Sequence, residues 1–146
     1  MTLEVCICPI AEEYIAGFHA CLDTVARERA YLAQTSAPPL ERVQEFVRSV
    51  ISKGQTQLVA LDGQKVVGWI DILPMHFEGF THVGHLGMGV LASYRGRGIG
   101  KRLMLDAIAD ARSKGIERVE LEVYASNKPA IELYKKVGFE IEGVKR

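Results

Sequence analysis

Tyr94-Arg95-Gly96-Arg97-Gly98-Ile99-Gly100-Lys101 stands between a strand pattern and a helix pattern. Alternate glycines let a backbone approach a ligand closely and tolerate positive φ. The helix that follows offers unpaired N–H groups and a partial positive charge. Together these form an anion site suited to a pyrophosphate, and Arg95, Arg97 and Lys101 add formal charge beside it. Two common phosphate loops do not fit. The dinucleotide pattern G-x-G-x-x-G, counted from Gly96 and Gly98, would need glycine where Lys101 stands. The triphosphate loop G-x-x-x-x-G-K-S/T meets Arg102 after Lys101, and Arg95 where its first glycine belongs.

Working outward, His82 to Leu91 reads as a strand with three glycines, and Gly98 to Lys114 as a helix with Ile99, Leu103, Ala107 and Ala111 on one face. Val119 to Tyr124 is a short strand, Asn127 to Val137 a helix, and Phe139 begins a last strand. Upstream, Leu3 to Cys8 alternates as a strand, and helical spacing follows from Glu12. A break at Ser36-Ala37-Pro38-Pro39 precedes a second helix from Leu40, closed by Gly54. Gln57–Leu61 and Lys65–Leu73 are strands joined by Asp62-Gly63, a strong hairpin signal. The expected fold is α/β, one domain over 1–146, with a mixed sheet covered by helices.

Composition excludes several classes. The 146 residues are 48% hydrophobic and 25% charged, which argues against disorder. Eighteen basic and eighteen acidic residues cancel, so charge-driven nucleic-acid binding is not expected. No apolar run is long enough to span a membrane, and the first residues lack a signal pattern, so the expected location is the cytoplasm. Cys6, Cys8 and Cys21 make neither a disulfide framework nor a zinc pattern and read as reduced thiols. No metal is expected.

Arg95-Gly96-Arg97-Gly98-Ile99-Gly100 resembles the Gln/Arg-x-x-Gly-x-Gly/Ala motif of the GNAT superfamily of acyl-CoA-dependent N-acetyltransferases. Met88-Gly89-Val90 is similar to that family's fourth strand, and Leu121 to Asn127 to its fifth strand and the loop beyond. Ala130 to Phe139 is similar to its Ala-Ile-x-Leu-Tyr-x-x-x-Gly-Phe helix. The likeness covers the C-terminal three-fifths tightly and the element order of the whole chain loosely. Leu121 to Phe139 looks most like the branch that acetylates ribosomal-protein N-termini.

The resemblance implies a mostly antiparallel sheet whose parallel fourth and fifth strands splay apart to admit acetyl-CoA. The pyrophosphate would rest on N–H groups of Arg95, Gly96, Arg97, Gly98, Ile99, Gly100 and Lys101. The pantetheine arm would pair with Met88, Gly89 and Val90 as an added strand, with an N–H near Val90 as oxyanion hole. Gly87 and Gly89 suit a bulge there; close packing is the other reading. Asn127 is implied to contact pantetheine and also reads as a helix N-cap.

Acetyl transfer needs a neutral amine, a stabilised oxyanion and a proton for the thiolate. The cysteines lie far from the motifs, so direct attack in a ternary complex is expected. By family position Tyr134 is the acid and Glu122 the base; His82 and His85 are alternative bases. A core aromatic and a cross-strand charge partner are the plain structural readings of Tyr134 and Glu122. Glu12, Glu13, Glu28 and Asp71 are placed to attract an amine; solvated surface charge is the other reading. The acceptor is expected to be a primary amine on a small molecule, peptide N-terminus or lysine. A non-catalytic acyl-CoA sensor and an enzyme with an oxygen acceptor are the alternatives. Leu91-Ala92-Ser93 departs from the family's usual acidic residue and proline. The family's seventh strand reads as missing, which would leave the sixth strand's edge open to a homodimer partner.

Overall fold

The computed structural model describes residues 4–28, 35–75, 82–123 and 127–140. In chain order these hold β1 (Val5–Pro9), a 3-10 turn (Glu12–Tyr14), α1 (Ile15–Arg27), α2 (Leu40–Ser52), β2 (Thr56–Asp62) and β3 (Lys65–Pro74). There follow β4 (Val83–Val90), a 3-10 turn (Ala92–Tyr94), α3 (Ile99–Ser113), β5 (Arg118–Glu120) and α4 (Lys128–Val137). The strands lie in sequence order, β1-β2-β3-β4-β5. All neighbours are antiparallel except β4 and β5, which are parallel. The expected mixed sheet is therefore present.

Strand alternation splits the core between two faces. One face gathers Leu58, Ala60, Ile70, Ile72 and Leu86 against Ile99, Leu103, Met104, Ala107 and Ala111 of α3. The other gathers Val59, Leu61 and Trp69 against Phe18, Leu22 and Val25 of α1 and Val43, Val47 and Val50 of α2. β2 and β3 are buried on both faces, and their near-continuous apolar runs follow from that. Cys21 is part of the α1 core, and burial pushes its thiol up to about 12, which leaves it inert.

The β4 glycines do not make the expected bulge. The β3–β4 register runs unbroken from Gly68 opposite Val90 to Pro74 opposite Gly84. The sheet's irregularity lies instead between Ala60 and Leu61. Gly89 makes room for a neighbour: a Cβ there would lie 2.3 Å from Cη2 of Trp69, the residue directly across the ladder. At Gly84 a Cβ would lie 2.6 Å from Cγ2 of Ile72. Close packing wins at both positions.

β5 is shorter than its alternation suggests, and it starts one residue earlier. Leu121 to Val123 lie outside the ladder, since β4 pairs with β5 only from Val83–Arg118 to His85–Glu120. Tyr124 to Ser126 lie outside the described residues. So do residues 141–146, where most of the expected last strand and its homodimer edge would fall; Phe139 and Glu140 are described and belong to no strand. Among the described residues no helix is long and apolar enough to cross a membrane.

Candidate active site

The parting of β4 from β5 is the central feature. β4 continues to Val90, five residues beyond its last pair with β5 at His85. Two hydrogen bonds fix which way its main chain faces: Met75 N–H donates to Val83 O at 3.0 Å, and Leu91 N–H to Val67 O at 2.8 Å. Antiparallel alternation then turns odd-numbered residues of β4 toward β3. The main-chain groups of Met88 and Val90 face the side that β5 has left. Val90 O accepts from Arg95 Nε at 2.9 Å, so its N–H is the group left facing the gap.

Beyond β4 the glycine turn divides its labour. Gly96 and Gly98 have φ of 76° and 79°, and no atom outside the adjoining residues lies within 4 Å of a Cβ built on either. They bend the chain so that α3 starts immediately. Gly100 is helical and serves contact instead. A Cβ there would lie 3.2 Å from Leu133 Cδ2 of α4 and 3.4 Å from Met88 Cε of β4. The three stretches singled out in the sequence converge on this one residue.

Gly98 is the N-cap, with no side chain to satisfy the helix start. Arg102 N–H is the first to find an acceptor, Gly98 O at 3.1 Å. The N–H groups of Ile99, Gly100 and Lys101 donate to nothing among the described residues. An anion would meet them and the positive end of α3 together.

The basic residues of the turn do not act alike. The Arg95 guanidinium grips Glu28 Oε1 and Oε2 at 2.8 and 2.6 Å as well as Val90 O. It therefore ties the end of α1 to β4 rather than adding charge to the anion site. Arg97 lies over the Tyr94 ring at 5.5 Å and is exposed, as is Lys101. The Glu28–Arg95 pair also takes Glu28 out of the acidic set placed to attract an amine. Glu12 is likewise paired, with Arg48.

Tyr134 is half-buried on α4, packed against the α3-side core and edge-on to Phe139 at 6.0 Å between ring centroids. Burial raises its phenol above the usual value, which keeps it a proton carrier through neutral pH. Asn127 Oδ1 accepts from Ala130 N–H at 3.3 Å, so its N-cap role is realised. Glu122 is exposed, two residues past the end of β5. His82 is exposed, and its carbonyl accepts from Glu117 N–H at 2.8 Å.

On the α1–α2 face, a pocket of about 390 Å³ opens against β3 and β4. Phe18 and Leu22 of α1 and Val43 and Phe46 of α2 form apolar walls. Trp69 and Asp71 come from β3, and His85, Gly87 and Met88 from the stretch of β4 where β5 departs. Asp71 contradicts its reading as solvated surface charge. It is half-buried, and burial alone pushes its carboxyl up to about 7. The signal was an acid between Trp69 and Leu73, at alternating spacing in a strand otherwise apolar.

A mixed sheet with one parted parallel pair, and a glycine-led helix start beside the gap, is the arrangement that the sequence resemblance implied. The comparisons agree. The model of the Acetyltransferase (GNAT) family matches residues 18–139, and the chain belongs to that family. It is 38% identical over 91 residues to the L-amino acid N-acetyltransferase AaaT of Escherichia coli, covering 62% of this chain and 56% of that one. To the N-alpha-acetyltransferase RimI of Mycobacterium tuberculosis it is 35% identical over 107 residues, covering 69% and 62%. The chain thus spans less than two thirds of either relative. Its fold matches the ribosomal-protein-alanine N-acetyltransferase of Brucella melitensis with a TM-score of 0.88 and 27% identity, over 94% of this chain and 86% of that one.

Proposed function

We propose that the protein transfers an acetyl group from acetyl-CoA to a primary amine by direct attack in a ternary complex. The observation that carries this reading is the β4–β5 gap lying beside unpartnered amides at the start of α3. Family membership and two relatives named as N-acetyltransferases support it.

On this reading the free amides of Ile99, Gly100 and Lys101, with the turn of Gly96, Arg97 and Gly98, receive the diphosphate, helped by the α3 dipole; the expected Arg95 N–H does not join them, because it donates to Ala92 O at 3.2 Å. Met88, Gly89 and Val90 hold the pantetheine arm, mainly through the outward main chain of Met88 and Val90. The Val90 N–H stabilises the oxyanion. Asn127, with its Oδ1 on Ala130, keeps its side-chain amide for the same arm. Tyr134 gives the thiolate its proton. By family position Glu122 takes the proton from the amine, with His82 and His85 as alternatives. A cytoplasmic location and a homodimer joined near the chain end belong to the same proposal; sedimentation of the purified protein reads the latter.

Acetyl-CoA at millimolar concentration is expected to raise the melting temperature through linkage of binding to folding. An amine panel with a free-thiol readout is expected to release CoA. No thermal shift and no thiol release would remove the reading. Tyr134→Phe is expected to keep the acetyl-CoA shift and lose turnover; undiminished turnover takes Tyr134 out of the acid role.

A further inference from the structure

On the α1–α2 face, three positions in line across the sheet break an apolar surface. Gln57 of β2 stands directly opposite Asp71 of β3, and Asp71 directly opposite Gly87 of β4. Their neighbours on that face are Val59 and Trp69, both buried. Gln57 is 2% exposed, and neither Oε1 nor Nε2 has a partner among the described residues. Among the described residues the Asp71 carboxyl has no counter-charge or hydrogen bond, and burial pushes it up. A Cβ at Gly87 would come within 3.3 Å of Asp71 Oδ1, so the glycine keeps the space over the carboxyl open. A half-buried carboxyl and a buried carboxamide, neither partnered among the described residues, oppose folding. Asp71 lines a pocket that reaches the stretch of β4 beside the gap, and Gln57 stands next to it on β2.

We propose that this pocket is the acceptor site and that Asp71, rather than Glu122 or the histidines, takes the proton from the acceptor's ammonium. The acceptor is a primary amine on an apolar body about the size of one amino-acid residue. The inference rests on the acetyl-transfer reading above. Phe18, Leu22, Val43, Phe46 and Trp69 receive the apolar body. The pocket's size is at the low end of the roughly 300–1,000 Å³ of ligand sites. Gln57 is a positioning residue. Side chains directly opposite have Cβ atoms about 5 Å apart, within reach for its amide to donate to the carboxylate.

The proton balance closes. Asp71 carboxylate accepts one proton from the ammonium, leaving a neutral amine. The amine forms the C–N bond to the thioester carbon, and the C–S bond breaks. The thiolate takes a proton from Tyr134, and the acylated nitrogen gives up a proton that restores the phenol. Asp71 then releases its proton to solvent. The products are one amide, one thiol and one proton.

Among the described residues, the charged or titratable groups sharing the pocket with Asp71 are Arg42 from α2 and His85 from β4; α1 contributes Phe18 and Leu22, and the adjacent Gln57 on β2 is neutral. The test compares the native protein with Asp71→Asn, an isosteric change that removes only the titration. Phenethylamine, phenylalanine and a short peptide beginning with phenylalanine separate a free amine from a chain end; ethylamine and lysine lack the apolar body. The native protein is expected to prefer the phenyl-bearing amines and to show a kcat/KM limb near pH 7. Asp71→Asn is expected to lose roughly 10²–10⁴-fold in kcat/KM, to lose that limb, and to keep the native thermal shift with acetyl-CoA. Gln57→Leu is expected to move the limb while keeping the shift. Equal turnover of ethylamine and phenethylamine would overturn the substrate class. Asp71→Asn with native kcat/KM and an unchanged limb would overturn the base assignment while leaving acetyl transfer standing. Native protein that acetylates no amine would bring down both.

Discussion

Trp69 lies across the ladder from Gly89, where a Cβ would also fall 2.6 Å from its Cζ3. Gly89→Ala must therefore displace an indole that is 3% exposed and wedged against Phe18. It is expected to cost about 1–3 kcal/mol, read as a lowered urea midpoint. Gly98→Ala poses a different problem. There is space for a Cβ but φ is 79°, so strain of about 1 kcal/mol is expected, together with a weaker acetyl-CoA thermal shift. The sequence showed that glycines cluster here, but not which served conformation and which served contact. That division depends on what lies across the ladder. Asp71 was hard to read for the same reason: its position in an apolar strand was visible, while the empty space that Gly87 keeps above it is a cross-strand fact.

Elements were easier to read than their ends. The periods that marked α1, α2 and α3 held because each buries one stripe in the core, and that of α4 because Leu133, Tyr134 and Val137 pack, half-buried, against the α3-side core. The Asp62-Gly63 hairpin was equally plain, with Gly63 at φ 61°. β5 was read too long because alternation records side-chain environment, whereas a strand also needs a ladder, and β4 withdraws after His85. Arg95 belonged to the motif in sequence, yet its side chain clamps Glu28 and Val90 O. Arg95→Met is expected to lower stability by about 1–2 kcal/mol in urea unfolding. Asn127→Ala removes the cap of α4 and is expected to cost about 1 kcal/mol, with the loss confined to α4 in hydrogen exchange.

For the whole molecule, the Asp71 carboxyl makes stability depend on pH. In the unfolded chain it titrates near 4, and in the fold at about 7. The raised value means the fold favours the neutral acid. Stability from this group is full below about pH 4 and is lost as pH rises to about 7. Asp71→Asn is therefore expected to be the more stable protein at pH 8, by about 1–4 kcal/mol, with the gap closing as pH falls toward 4. Urea unfolding of both proteins at three pH values checks this. The global arrangement was legible because hairpins and crossovers admit few topologies. The α1–α2 pocket was not, because it is assembled from segments far apart in the chain.

β4 serves two neighbours with two different parts of itself. His85 and Gly87 show their side to the pocket, whereas at Met88 and Val90 the peptide groups look into the gap. A library randomised at Gly87 and Val90 should therefore show two kinds of tolerance. Val90 would accept other apolar residues with coenzyme affinity intact, because its peptide group and not its side chain faces the gap, while a single methyl at Gly87 would already retune which amine is accepted. Selectivity could then drift at one position without renegotiating the grip on the donor.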